Sequence, residues 1–314
     1  MSDELIFLAP VFKERPWGGN NLKNEWGFDV PFEKAGECWS VSAHQNGECT
    51  SEKCKYAGMT LSELWREEHS IFGSSPADRE FPLMVKILDA ESDLSVQVHP
   101  DDDYAFKNEN GSYGKSECWY VLDAKPGAKL VMGHNAGDKA ELRKMIEDGK
   151  WSELLREVPV KKGDFLMIEP GTVHAIGGGM QILETQQSSD VTYRLYDYDR
   201  IVDGKRRELH IEKSIDVALV PGFDAQNPVK NTDSFKVNVL NELGSNKYFT
   251  VYKAVAEGKM QFDMPAEYML VTVIEGAGSF CGCKVKKGDS FIVPSGIKRI
   301  EAEGDFTFIA SSEA

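Results

Sequence analysis

The 314-residue chain is short of several features that would classify it at once. No apolar run approaches the roughly 20 residues that cross a bilayer, so no segment reads as a transmembrane helix. The apolar stretch "LIFLAPVF" (5–12) follows acidic Asp3 and Glu4 and has neither a basic flank nor a small-residue cleavage site. It reads as a first strand, not a signal peptide. Positive charge is in deficit, with 36 Lys and Arg against 51 Asp and Glu, a net charge of −15. That balance argues against nucleic acid or an anionic membrane as partner, although a local cluster of cations can still hold a small anion. The cysteines, Cys38, Cys49, Cys54, Cys118, Cys281 and Cys283, make no CxxC pair and no zinc-finger spacing. They read as reduced thiols of a cytoplasmic protein. No low-complexity tract is present. Histidine is scarce too, and none follows His210.

What the chain does contain is strands. "LMVKILDA", "ECWYVLDA", "AKLVMG", "MQILETQ", "YFTVYKAVA", "YMLVTVIEG" and similar runs are rich in Val, Ile, Tyr, Phe and Thr. Gly, Pro, Asp and Asn punctuate them, which points to a mainly β protein of sandwich or barrel type. Two helical excursions interrupt the pattern. Residues 60–72 open on Thr60 and Glu63, spaced as a capping box. Residues 138–158 open on Asp138 and Glu141, and Gly149 splits them into two short helices. Residues 220–235 have neither period and contain two prolines, so they read as a linker between two β units.

One phrase occurs twice. "KKGDFLMIEPGTVHAI" (161–176) and "KKGDSFIVPSGIKRI" (286–300) share a Lys-Lys-Gly-Asp opening, a strand and a Pro/Gly turn. Aligned on Gly-Asp, His174 in the first copy stands where the second has Arg299.

Polar residues sit where strand alternation calls for apolar ones. In "LSVQVHP", Ser95, Gln97 and His99 share a face; in "GKSECWYVLDA", Glu117 shares a face with Trp119 and Val121. Burying such groups costs energy unless a ligand or an ion satisfies them. With His174 they make a Gln, two His and a Glu on strands of one unit. Imidazole plus carboxylate suits Zn²⁺, with Fe²⁺ or Mn²⁺ as alternatives. A plain two-faced strand would also give the alternation around Arg194 in "SSDVTYRLYDYDR".

These segments carry a resemblance. "GDFLMIEPGTVHAI" is similar to the second cupin motif. "RPWGGNNL", "GECWSVSAH", "SVQVHPDDDYA", "GKSECWYVLDA", "GTVHAI" and "SSDVTYRLYDYDR" together resemble the type I mannose-6-phosphate isomerases, in their short bacterial form, over about residues 10–215. The resemblance implies two cupin-like jelly-roll β-barrels with short helical insertions: a catalytic domain at 1–222 and a metal-free β-domain at 231–314. It implies one Zn²⁺ per chain held by Gln97, His99, Glu117 and His174, and an active-site Arg194. It points to Ser95, Lys86 and Lys115 as contacts of a phosphorylated sugar and to Glu184 near the reacting carbons. Gly114 stands where long forms of the family often have a histidine. No obligate protein partner is implied.

Aldose–ketose isomerisation moves a proton between C1 and C2 through an enediol, so it needs a Lewis acid and a proton carrier. Glu184 or Lys115 suits the carrier. Arg194 is a poor base and suits charge stabilisation, of the enediolate or of the phosphate. Two rival readings fit the same residues: an Fe²⁺ cupin oxygenase, in which Gln97 as a fourth ligand leaves less room for O₂, and a non-catalytic sugar-phosphate sensor.

Overall fold

The computed structural model describes residues 4–53, 55–202, 204–222 and 228–314. Cys54 and the centre of the expected linker, 223–227, lie outside the described residues. The chain is mainly β, with short helices between strands. No helix among the described residues is long and apolar enough to cross a membrane.

The chain forms two compact units: Met1–Lys13, Asn20–Ile87 and Thr232–Ala314 in one, Glu14–Gly19 and Leu88–Asn231 in the other. The N-terminal residues group with the C-terminal ones. The reason is strand pairing: Ile6–Ala9 runs antiparallel to Ser290–Val293, with Ile6 opposite Ile292 and Phe7 opposite Phe291. That pairing buries Phe7 against Phe291, with Phe280 and Phe308 beside them. Burying each such ring contributes roughly 1.5–3 kcal/mol.

In the same unit, the helix Leu61–Glu67 begins as its sequence directs. Glu63 N–H donates to Thr60 Oγ1 and Thr60 N–H to Glu63, closing a capping box. Its buried face is Leu61, Leu64 and Trp65, as the spacing predicts.

The other unit is built from β1 (Val96–Val98), β2 (Glu117–Ala124), β3 (Lys129–His134), β4 (Leu155–Pro159), β5 (Asp164–Ile168), β6 (His174–Ile176), β7 (Met180–Gln187) and β8 (Tyr193–Tyr196). One sheet runs β8-β1-β6-β3-β4; a second places β2 between β5 and β7. Their inner faces share a core in which Leu130, Met132 and Ile176 from the first sheet meet Trp119, Val121, Leu166 and Ile182 from the second. The outer face of the first sheet carries Val96, Val98, Ala175 and Leu195, and helices cover it through Leu142, Ile146, Leu154 and Ile215. The stretch 138–158 does split at Gly149, but its second half turns from helix Trp151–Leu154 into β4. Val158 packs against the inner core, Leu155 packs against the outer one, and Glu157 and Pro159 are exposed. The helix Asp102–Asn108, capped by Asp101 on Tyr104 N–H, was concealed within a run of aspartates.

The repeated phrase is one structure built twice. Lys161 N–H donates to Asp164 Oδ2 at 2.9 Å, and Lys286 N–H donates to Asp289 Oδ2 at 2.9 Å. Gly163 N–H donates to Val121 O, and Gly288 N–H donates to Val273 O. Within the first copy, the Pro170-Gly171 turn is fastened where the site begins: Gly171 N–H donates to His99 O at 2.8 Å. Gly171 has φ +84°, and a Cβ there would meet Val217 O at 2.7 Å. Gly171→Ala therefore adds a left-handed penalty of about 1–2 kcal/mol and a clash with backbone that cannot swing aside. Urea denaturation should find the variant at least about 2 kcal/mol less stable; equal stability would contradict this account of the turn.

Candidate active site

Residues directly opposite on antiparallel strands present side chains on the same face. His174 on β6 lies opposite Gln97 on β1, and Gln97 lies opposite Arg194 on β8. The three form one polar row across the inner face of the first sheet. On the second sheet, Glu117 lies opposite Gln186, and Trp119 opposite Glu184. The two polar groups meet.

His99, Glu117 and His174 each offer one ligand atom, and these atoms lie within 4.8 Å of one another. His174 Nε2 is 3.3 Å from Glu117 Oε1, and His99 Nε2 is 3.6 Å from Glu117 Oε2. All three residues are fully buried. Each imidazole is held from behind by a backbone carbonyl: His99 Nδ1 donates to Val191 O and His174 Nδ1 to Thr172 O, both at 2.8 Å. A ring that donates from Nδ1 keeps the lone pair on Nε2, and both Nε2 atoms face the carboxylate. Burial, with Lys115's charge adding to it, pushes the His174 pKa down to about 4, so the ring is neutral at pH 7. Gln97 joins them, its amide nitrogen 3.3 Å from His174 Nε2. The amide can turn its oxygen to the same point, since its two ends are sterically alike. Two neutral imidazoles, a carboxylate and an amide oxygen make a donor set that fits a divalent cation of the zinc, iron or manganese class.

Lys115 and Glu184 stand beside this triad. Lys115 Nζ donates to Glu117 Oε2, lies 3.3 Å from His99 Nε2 and 3.8 Å from Glu184 Oε1. Trp119 Nε1 donates to Glu184 Oε2 at 3.0 Å, which fixes that carboxyl's orientation. Arg194 donates from Nε to Ser95 Oγ at 3.3 Å and from Nη1 to the Glu208 carbonyl at 2.9 Å. Of the residues singled out in the sequence, eight thus lie in one unit. Lys86 belongs to the other, buried, with its ammonium 5.2 Å from the centre of the Trp39 ring. At Gly114 a Cβ would come within 2.4 Å of the Asp101 carbonyl carbon. The chain thus has no room for a histidine at that position.

Sequence reasoning missed the carbonyls of Thr172 and Val191, because a backbone oxygen has no letter of its own. It also missed His210, whose Nδ1 accepts from Arg194 N–H.

A family model described as the phosphomannose isomerase type I catalytic domain matches residues 5–126, and one described as the mannose-6-phosphate isomerase cupin domain matches 241–313. His174, Glu184 and Arg194 lie between the two. The chain is similar to mannose-6-phosphate isomerase ManA of Bacillus subtilis, at 47% identity over 97% of each chain. It is similar also to a mannose-6-phosphate isomerase of Streptococcus mutans, at 46% identity over 98% of each. The crystal structure of the mannose 6-phosphate isomerase from Bacillus subtilis superposes with a TM-score of 0.93 at 42% identity, covering 98% of this chain and 99% of that one.

His99→Ala or His174→Ala should bind metal at least about 100-fold more weakly than the parent, as read by metal content after dialysis. Full metal content in His174→Ala would remove that residue from the centre. Acid acts on the same ring. Its folded pKa of about 4 lies below the roughly 6.5 of an unfolded histidine, so the unfolded chain binds a proton that the folded one refuses. Stability from neutral His174 is complete above about pH 6.5 and is lost progressively as pH falls to about 4. Denaturant titrations of metal-free protein should show that slope, and His174→Gln should flatten it.

Proposed function

The chain belongs to the type I phosphomannose isomerase family, and from that membership and the site's geometry we propose that it interconverts mannose 6-phosphate and fructose 6-phosphate through an enediol. The observation that carries the reading is the pair of carbonyl-pinned imidazoles facing a buried carboxylate, with Lys115 and Glu184 against it. One Zn²⁺ per chain, held by His99, Glu117, His174 and Gln97, would supply Lewis-acid polarisation of the sugar oxygens.

The chain's own groups account for the remaining tasks. Glu184, oriented by Trp119 and facing Lys115, would take a proton from C2 and return it at C1, or the reverse. Lys115 is the second candidate for that proton, and its ammonium otherwise offsets negative charge growing on the sugar. Arg194 stays cationic and donates to developing negative charge. Ser95, bonded to Arg194, and Lys86 are the remaining contacts assigned to the phosphorylated sugar. In functional terms residues 1–222 are the catalytic domain and 231–314 a metal-free one, each a cupin-like jelly roll in this reading. The shared Gly-Asp turns of the repeated phrase support that pairing. The five described cysteines are unbridged, which fits a cytoplasmic protein of carbohydrate metabolism.

A coupled assay for fructose 6-phosphate formed from mannose 6-phosphate tests the reading. Turnover should disappear with a chelator, return with Zn²⁺ and persist without O₂. Arg194→Ala should keep its metal and lose about 10²–10³-fold in kcat. Phosphosugar binding with no turnover in the metal-loaded parent would leave a sensor, not an isomerase.

A further inference from the structure

Lys115 reaches the candidate site from a segment that no strand ladder holds. Residues 112–116 belong to neither helix nor strand, yet Lys115 is buried and its ammonium meets Glu117, His99 and Glu184. A lysine stem is flexible, so its charge is aimed only if its Cα is fixed. Three consecutive backbone N–H groups fix it. Gly114 N–H donates to Asp102 Oδ1 at 2.9 Å, Lys115 N–H to Pro100 O at 3.0 Å and Ser116 N–H to Gln187 Oε1 at 2.8 Å. Gln187 N–H returns a bond to Ser116 O at 3.1 Å.

Gln187 and Asp102 brace each other across this segment. Gln187 Nε2 donates to Asp102 Oδ1 at 3.0 Å, so one carboxylate oxygen receives both that amide and Gly114 N–H. The two contacts determine which way the amide lies. Its oxygen meets an N–H and its nitrogen a carboxylate, and the reverse orientation would set like against like at both ends. Gln187 is buried, at the end of β7. The loop that follows extends the grip. Ser189 Oγ donates to Tyr113 O at 2.9 Å and accepts from Val191 N–H at 3.3 Å, and Val191 O holds the His99 ring. One short stretch of chain thus braces both the segment that carries Lys115 and the carbonyl behind His99.

We propose that Gln187, paired with Asp102, is a positioning residue that sets the aim of Lys115 at the reacting carbons. The proposal rests on the isomerase reading for the task of Lys115, but not for the brace itself. Glu117 is held independently, by strand pairing with Ile168 on β5 and Gln186 on β7. The metal ligands therefore keep their places when the brace is cut, and the ammonium alone drifts. A displacement of about 1 Å can cost up to about 100-fold in rate.

Three variants separate the parts. Gln187→Met keeps the side chain's length and loses both of its bonds. Gln187→Glu keeps the acceptor for Ser116 N–H but sets a second carboxylate against Asp102, and adding Asp102→Asn restores a donor between them. In the metal-loaded proteins kcat on mannose 6-phosphate should fall about 10- to 100-fold in each single variant, with KM within about threefold and metal content at the parent's level. Amide hydrogen exchange over residues 113–117 should quicken about tenfold in both. The double variant should bring exchange and kcat back to within about threefold of the parent. Unchanged exchange or unchanged kcat in folded Gln187→Met and Gln187→Glu would overturn the assignment, and so would a double variant no better than Gln187→Glu. A parent without turnover would remove the isomerase reading instead, and hydrogen exchange would still decide whether Gln187 holds the segment. Thermal melts identify a variant that fails to fold, and the other single variant then decides.

Discussion

A carboxylate with no access to water governs the arrangement of the second unit. Glu117 is fully buried, and moving such an anion out of solvent costs several kcal/mol unless its surroundings replace the lost hydration. Lys115 supplies a charge, and two imidazoles supply polar edges. None of these suffices unless it is aimed. The aim comes from the backbone: Thr172 and Val191 hold the rings by their far nitrogens, and the Pro170-Gly171 turn is bonded to His99's own carbonyl. The sheets then have one further duty, to bring β2 and β6 face to face so that residues from each meet. The shared apolar core of Trp119, Leu130, Leu166 and Ile176 fixes that approach.

Much of the centre was legible in the sequence because strands have period two. Gln97 and His99, and Glu117 beside Trp119, stood on faces that should have been apolar, and the structure brings them within a few ångströms of His174. The same rule gives no information about what lies behind a side chain, so the carbonyls that orient the imidazoles were invisible. Lys86 shows another limit. Its ammonium lies over an indole, a pairing that no spacing rule announces. The grouping of the N-terminal strand with the C-terminal unit was hidden for a related reason: the partners Phe7 and Phe291 are nearly the whole chain apart.

The duplicated phrase separates scaffold from chemistry. Both copies make the same turn through the same Lys N–H to Asp bond and deliver a strand after a Pro/Gly corner. In one, the strand starts with a buried histidine. In the other, Arg299 is exposed and bonded to Gln261. A guanidinium has no lone pair to offer a cation, so the second copy repeats the turn without a donor for a cation at that position.

Trp119 has a consequence of another kind. Its indole N–H is bonded to Glu184, and its ring lies edge-on to His174 at 5.3 Å. An indole excited state is strongly dipolar, and its emission follows the local electric field. Proton gain at Glu184, or cation capture at His174, changes that field at one fully buried fluorophore. The site thus contains an optical probe of its own charge state, with no label added.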